Sequence, residues 1–186
     1  GRIGFAEIAQ LHPDDIETVQ DSLGKILSSG EHLLQLIDNI LDISRIESGR
    51  LVLKEEPCSL RGQIDEVMDI FMPQISARKI AFTKVIADDV ADYIFCDALK
   101  MKQLIINLMS NAVKYTPPEG KIEFRIENAE APEGYAGVEM HLIDTGIGMS
   151  PAFIRKMFVP FEREENSAFS QVRGSGLGMA ICKGIV

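Results

Sequence analysis

From Asp14 to Glu47 apolar residues return at the spacing of one helical face. Val19, Ile26, Leu33, Leu36, Ile40 and Ile43 follow steps of three, four and seven, and Leu23, Leu27, Leu34, Ile37 and Leu41 widen the stripe. A stripe that broad exceeds what a lone surface helix buries and fits a helix of a bundle. Pro13 with Asp14 and Asp15 forms a start signal, because proline suits the first turn and acids suit the positive end of the helix dipole. Ser48 and Gly49 form a stop. Ile3, Phe5, Ile8 and Ala9 place the end of an earlier helix over residues 1–10, and Leu11-His12-Pro13 reads as the turn of a helical hairpin.

The period changes after Gly49. Leu51, Leu53 and Glu55 predict a short alternating strand, and Leu60 to Met72 a helix. Ile80–Ile86, Lys121–Asn128 and Gly137–Asp144 predict further strands, with a long helix over Asp97–Tyr115 and a short apolar one over Ala180–Val186. Helices and strands in this order predict an α/β sandwich on a mixed or largely antiparallel sheet. The expected boundary gives a hairpin over 1–49 and a second domain over 50–186, an α+β chain overall.

Composition narrows the function classes. The 186 residues carry 28 acids against 19 bases, a net charge of −9, and a non-specific duplex-binding role conflicts with that sign. No apolar run approaches the ~20 residues that span a bilayer. Cys58, Cys96 and Cys182 are far apart along the chain, in no metal-like spacing, and are expected as buried thiols in a reducing compartment. The abrupt start and end read as a piece of a longer protein.

Three segments carry candidate chemistry. On the Asp97–Tyr115 helix, Lys100, Gln103, Asn107, Asn111 and Lys114 fall in one narrow stripe against an apolar remainder. A solvated face accounts for Lys100 and Gln103 equally well. It accounts less well for two asparagines at i and i+4, which are mediocre helix formers. Carboxamides so aligned can hold a hydrated cation and phosphate oxygens, since magnesium takes oxygen ligands and keeps several waters. Asp144-Thr145-Gly146-Ile147-Gly148-Met149 follows a strand, and its glycines let a ligand approach the backbone. Arg173-Gly174-Ser175-Gly176-Leu177-Gly178-Met179 opens a helix, a ready phosphate site through free N–H groups and the dipole. Its G-x-G-x-G spacing, with no βαβ unit, excludes a dinucleotide fingerprint. Between the glycine segments, Ser150–Val172 holds Phe158, Phe161 and Phe169 among charges, as a mobile lid or an ordinary long loop would.

Taken in order, these segments resemble the catalytic core of sensor histidine kinases. Asn107-Leu108-Met109-Ser110-Asn111-Ala112-Val113-Lys114-Tyr115 is similar to the family's N box and Asp144-Thr145-Gly146-Ile147-Gly148-Met149 to its first glycine box. Phe158-Val159-Pro160-Phe161 is similar to its F box and Gly174-Ser175-Gly176-Leu177-Gly178-Met179 to its second glycine box. Ser29 to Leu34 and Ile43 to Gly49 resemble the second helix of the dimerisation and phosphoacceptor domain, and Ile3-Gly4-Phe5-Ala6-Glu7 the end of its first. The resemblance implies a dimeric four-helix bundle followed by a gyrase-type (Bergerat) ATP-binding fold. It implies that Asn111 and Asn107 hold Mg2+ and that Lys114 contacts phosphate. Tyr115 would lie near adenine or ribose, and Asp144 would accept from the adenine amino group. Gly146, Gly148 and Met149 would shape the base pocket, with Phe161, and Gly174, Ser175, Gly176, Leu177 and Gly178 would wrap the triphosphate. It further implies transfer of the γ-phosphoryl group to a histidine and then to an aspartate of a response regulator, in the cytoplasm, with any membrane contact through other parts of the parent protein.

Some features depart from the family. Its H-[ED]-x-R-T-P phosphoacceptor box would lie roughly two helical turns before Ile3, and this chain starts after it. His12 lies by the turn, His32 on the second helix beside the apolar stripe and His141 within a strand, none at the acceptor position. The chain is therefore expected to bind ATP without phosphorylating itself. Family domains continue past the last helix into further strands, whereas this chain stops at Val186. Glu164-Glu165-Asn166 replaces the aromatic and basic residues the family often has after Phe161-Glu162-Arg163, which leaves a phosphate contact by Arg163 unsupported. Two other readings share these residues: a dimerisation module with a degenerate site, which the intact asparagines, aspartate and glycines oppose, and a gyrase-type ATPase with a glutamate base, which would carry glutamate where Asn107 stands.

Overall fold

The structure, a computed structural model, describes residues 2–164 and 174–186. The chain opens with a helical hairpin, α1 (Arg2–Leu11) and α2 (Ile16–Glu47). Asp15 caps α2 by accepting from the Thr18 N–H, and Ser48 ends it, so both predicted signals act where the sequence places them. The hairpin leaves a row of large apolar side chains exposed, among them Leu23, Leu27, Leu33, Leu34, Ile37, Ile40 and Leu41.

Next come β1 (Glu56–Ser59), α3 (Leu60–Ala77), β2 (Ala81–Ile86), β3 (Tyr93–Cys96), α4 (Ala98–Tyr115), β4 (Lys121–Ala129), β5 (Gly137–Asp144), α5 (Pro151–Ile154) and α6 (Gly178–Ile185). Strands β2, β4 and β5 form one sheet in that order, parallel between β2 and β4 and antiparallel between β4 and β5. It is thus a mixed sheet. Strand β4 alternates, sending Ile122, Phe124 and Ile126 inward. They meet Leu60, Ile64, Val67, Phe71 and Ile75 of α3 and Ile105, Met109, Ala112 and Val113 of α4 in one core. Two helices on one sheet face make the two-layer sandwich.

The structure corrects four expectations. The strand predicted from Leu51 is absent: residues 51–55 form no regular element, and Val52 is 80% exposed. The strand starts at Glu56 and pairs antiparallel with β3, which the pattern missed because Tyr93-Ile94-Phe95-Cys96 is a short, unbroken apolar run. Helix α3 does not stop at Met72 but runs through Pro73 to Ala77. An interior proline costs about 3 kcal/mol, and burial of Phe71 and Ile75 on either side contributes about 1.5–3 kcal/mol each, enough to hold the helix together. Helix α6 starts two residues earlier than predicted, at Gly178. Of the three cysteines only Cys182 is buried; Cys58 and Cys96 are partly exposed, and all three are free thiols. Among the described residues no helix is long and apolar enough to cross a membrane.

Candidate functional site

Helix α4 organises the site. Asp97 caps it through the Lys100 N–H at 3.0 Å and also accepts from the Lys54 N–H of the linker at 3.0 Å. Burial works to raise the Asp97 carboxyl, but these backbone donors outweigh it and hold it below its ordinary value. At the other end, the guanidinium of Arg78, at the C-cap of α3, donates to the carbonyls of Val113 and of Thr116, the latter at 2.6 Å. An arginine from another helix thus takes up orphan acceptors of the last turn.

Two segments close on the C-terminal half of α4, and a third packs against one of them. The first is the turn after β5. The Gly146 N–H donates to Asp144 Oδ1 at 2.7 Å, and the Ile147 N–H reaches the Tyr115 carbonyl at 3.4 Å. A Cβ at Gly146 would lie 2.5 Å from Asp144 Oδ1 and 2.9 Å from the Tyr115 carbonyl oxygen, so only glycine lets this turn close on the end of α4. Asp144, Gly148 and Met149 are exposed there, with Gly146 half-buried.

The second is the loop that enters α6. A Cβ on Gly174 would lie 2.9 Å from Lys114 Nζ, and one on Gly178 3.3 Å from the Asn107 carboxamide oxygen. Asn107 Nδ2 points to the Gly178 carbonyl at 3.4 Å. Cys182 Sγ donates to the Leu104 carbonyl at 3.9 Å, and burial pushes its thiol up to about 11 against the lowering influence of Asn107. Ser175 Oγ accepts from the Leu177 N–H at 3.3 Å. The Leu177 side chain turns away, 1% exposed, into a small core with Ile43 of α2 and Ile181.

The third is the segment after α5. The Phe161 N–H donates to the Gly176 carbonyl at 3.0 Å. Gly176 has φ +72, and a Cβ on it would lie 2.8 Å from the Glu162 carbonyl oxygen. Both its conformation and the space demand glycine. Phe161 itself has φ +67 and is 65% exposed, a strained backbone in an open position. Residues 165–173, with Phe169, Arg173 and most of the predicted lid, lie outside the described residues.

The two predicted glycine segments therefore close on Asn107, Lys114 and Tyr115, with Asn111 on the same half of α4, and the phenylalanine segment joins them through Gly176. Lys114 Nζ also sits 4.8 Å from the centre of the Tyr115 ring. Among the described residues no group of three or more His, Cys, Asp or Glu side chains could hold a metal. A cation here must rely on carboxamide and phosphate oxygens, and the side chains present supply the former.

The N-terminal half of the same stripe is engaged elsewhere. Lys100 Nζ lies 2.8 Å from Asp42 Oδ1, and Gln103 Nε2 donates to Asp42 Oδ2 at 2.8 Å. Asp42 belongs to α2 of the hairpin, and its side chain is only 11% exposed, that of Lys100 20%. The solvated-face reading of Lys100 and Gln103 therefore fails. Sequence reasoning missed this contact, and also Gly184, whose absent side chain lets Ile46 of α2 pack against α6. A glycine inside an apolar helix was the available signal.

The histidines occupy plain positions. His12 is exposed at the hairpin turn. His141, on β5, has Nε2 3.6 Å from Glu139 and 3.8 Å from Glu127. The side chain of His32 lies outside the described residues.

With this geometry in view, comparison with known proteins defines the class. The His Kinase A (phospho-acceptor) domain model matches residues 2–49, and the model of the histidine kinase-, DNA gyrase B- and HSP90-like ATPases matches residues 96–186. The chain belongs to the sensor histidine kinases of two-component systems. The sensor protein GacS of Pseudomonas syringae pv. syringae is 34% identical over 189 residues, covering 100% of this chain and 20% of its own length. The chain thus spans about a fifth of the curated relatives it matches. The histidine kinase ThkA, solved in complex with the response regulator protein TrrA, superposes with a TM-score of 0.65 at 25% identity, covering 100% of this chain and 49% of that one. Full-length ShkA, solved with AMPPNP, superposes with a TM-score of 0.68 over 91% of this chain and 33% of its own. At 24% identity, that second likeness speaks to the fold alone.

Proposed function

We propose that this chain is the ATP-binding catalytic core of a sensor histidine kinase, serving transfer of the ATP γ-phosphoryl group to a histidine outside the chain and onward to a response-regulator aspartate. One observation carries the reading: both glycine segments close on the same half of α4, one on Tyr115 and one on Asn107 and Lys114. Asn111 and Asn107 hold Mg2+ through their carboxamide oxygens, and Lys114 meets phosphate. Asn107 must then share its amide with the Gly178 carbonyl. Asp144 keeps one carboxylate oxygen on Gly146 and accepts the adenine amino group with the other, in a pocket floored by Gly146, Gly148 and Met149 and flanked by Tyr115 and Phe161. Gly174, Ser175, Gly176 and Gly178 admit the triphosphate to their backbone, and Leu177 contributes its N–H only, its side chain being committed to the hairpin contact. ATP supplies the phosphoryl group and Mg2+ neutralises its charge; the residues position and shield it.

The ATPase family model over residues 96–186 supports the ligand, and ThkA, solved with a response regulator, supports the partner. The exposed apolar row of α2 supports a homodimer through a four-helix bundle. The absence of a spanning helix among the described residues accords with a cytoplasmic place for this part of the parent protein.

Thermal unfolding with Mg2+ and a non-hydrolysable ATP analogue tests the site, because a ligand that binds only the native state raises its melting temperature. Wild type is expected to rise and Asp144→Asn to lose that rise; a rise retained in the mutant removes the adenine assignment. For the dimer, Ile40→Glu is expected to give a monomer in sedimentation, since it places a charge in the seam. An unchanged mass rules out the hairpin interface.

A further inference from the structure

Two thiols that stand far apart in sequence meet at the root of both long helices of the sandwich. The β1–β3 register pairs Glu56 with Cys96 and Cys58 with Ile94. Residues two apart on a strand share a face, so Cys58 and Cys96 stand diagonally on one side of the ladder. Both are partly exposed, open to small solutes. No third ligating side chain makes them a metal site among the described residues. Each cysteine leads straight into a helix cap: Cys58 precedes Ser59, which caps α3, and Cys96 precedes Asp97, which caps α4.

We propose that Cys58 and Cys96 form a thiol-oxidation site that hydroperoxides close to an intramolecular disulfide and dithiols reopen. Burial, then the neighbouring Cys58 thiol, pushes the Cys96 thiol up to about 12. Cys96 therefore holds its proton more tightly than an ordinary thiol, and Cys58 is the attacking sulfur. The Cys58 thiolate attacks the outer oxygen of the hydroperoxide, the O–O bond breaks, and the departing alkoxide or hydroxide takes a proton. Cys58 is then a sulfenic acid. The sulfur of Cys96 attacks it, the S–S bond forms, the S–O bond breaks, and the hydroxide released takes the Cys96 proton as water. In sum, two thiols and one hydroperoxide give one disulfide, one alcohol or water, and a second water.

The geometry makes the bond labile. Diagonal partners lie about 7–8 Å apart at Cα, and disulfides span up to about 6.8 Å, so closure draws β1 and β3 together. A strained disulfide is easily reduced, as regulatory ones are. The pull falls on Asp97, which holds both the Lys54 N–H of the linker from the hairpin and the first turn of α4.

The test is a free-thiol titration of the purified chain, denatured after quenching, with peptide mapping. Hydrogen peroxide at low molar excess should lower the titre from the three thiols of the reduced chain to one, yield a linked Cys58–Cys96 peptide lighter by two hydrogens, and be reversed by dithiothreitol. Cys182→Ser should retain the link, whereas Cys96→Ser should leave Cys58 as sulfenic or sulfinic acid. A titre that stays at three, oxygen added without a link in wild type, or a link mapping to Cys182 overturns the proposal.

Discussion

The two halves of α4 share one polar stripe and do different things with it. In the first half, Lys100 and Gln103 close on Asp42, a carboxylate from the hairpin, with all three side chains largely shielded. In the second, Asn107 and Lys114 face glycines that make room rather than fill it, with Asn111 on the same half of the helix. A helical wheel shows which residues line up but not what covers them. The difference shows that one helix can hold the hairpin at one end and, in the function proposed above, offer a ligand surface at the other.

Three measurements break or sharpen that contrast. The largest effect is expected from Asn111→Ala, which removes a contact to a charged ligand worth about 1.5–3 kcal/mol, or roughly 10–100-fold in affinity for Mg2+ and an ATP analogue by calorimetry. The melting temperature without nucleotide should barely move. Asp42→Ala should do the reverse. It leaves a shielded lysine and a carboxamide without their acceptor, costing about 1–3 kcal/mol in urea unfolding. Hydrogen-exchange protection should fall over the first turns of α4, while nucleotide affinity stays within about twofold. An affinity that falls as far as in Asn111→Ala erases the distinction between the halves.

The smallest effect is in pH. Burial works to raise the Asp42 carboxyl, yet hydrogen bonds from Lys100 and Gln103 prevail and hold it below its ordinary 3.8. A carboxyl lowered in the folded state contributes stability above its unfolded value and loses it as pH falls through the folded one. The hairpin contact should therefore persist down to about pH 4 and weaken below 3.8. Asp42→Asn should unfold with a flatter acid limb than wild type; matching limbs would show that the carboxylate does not act in this way.

Much of this was legible in the chain. The hairpin, its caps, the asparagine helix and β5 follow from period and cap chemistry, and Asn107–Tyr115, Asp144–Met149 and Gly174–Met179, singled out by their order, are segments that the fold brings together. What stayed hidden depended on contacts between segments remote in sequence. Asp42 reads as one more polar residue on a bundle helix until α4 is laid across it. For Lys100 and Gln103 a solvated face accounted equally well, for the same reason. Tyr93–Cys96 is a strand because Glu56–Ser59 lies beside it, and an isolated tetrapeptide carries too little pattern to announce that. The end of α3 was misplaced at Met72 because the burial of Phe71 and Ile75, which carries the helix through Pro73, is a tertiary property. Cys58 and Cys96 show the same limit, since no spacing rule joins positions that only a strand register brings together.

The Arg78 guanidinium has a consequence for ligand entropy. Helix ends fray within microseconds when their last carbonyls have only water to bind, and the last turn of α4 carries Lys114 and Tyr115. Arg78 fixes the Val113 and Thr116 carbonyls at that turn. The disorder that a ligand would otherwise have to suppress on arrival is thus removed when the chain folds. Part of the affinity at this end of α4 is decided before any nucleotide appears, by a residue on another helix.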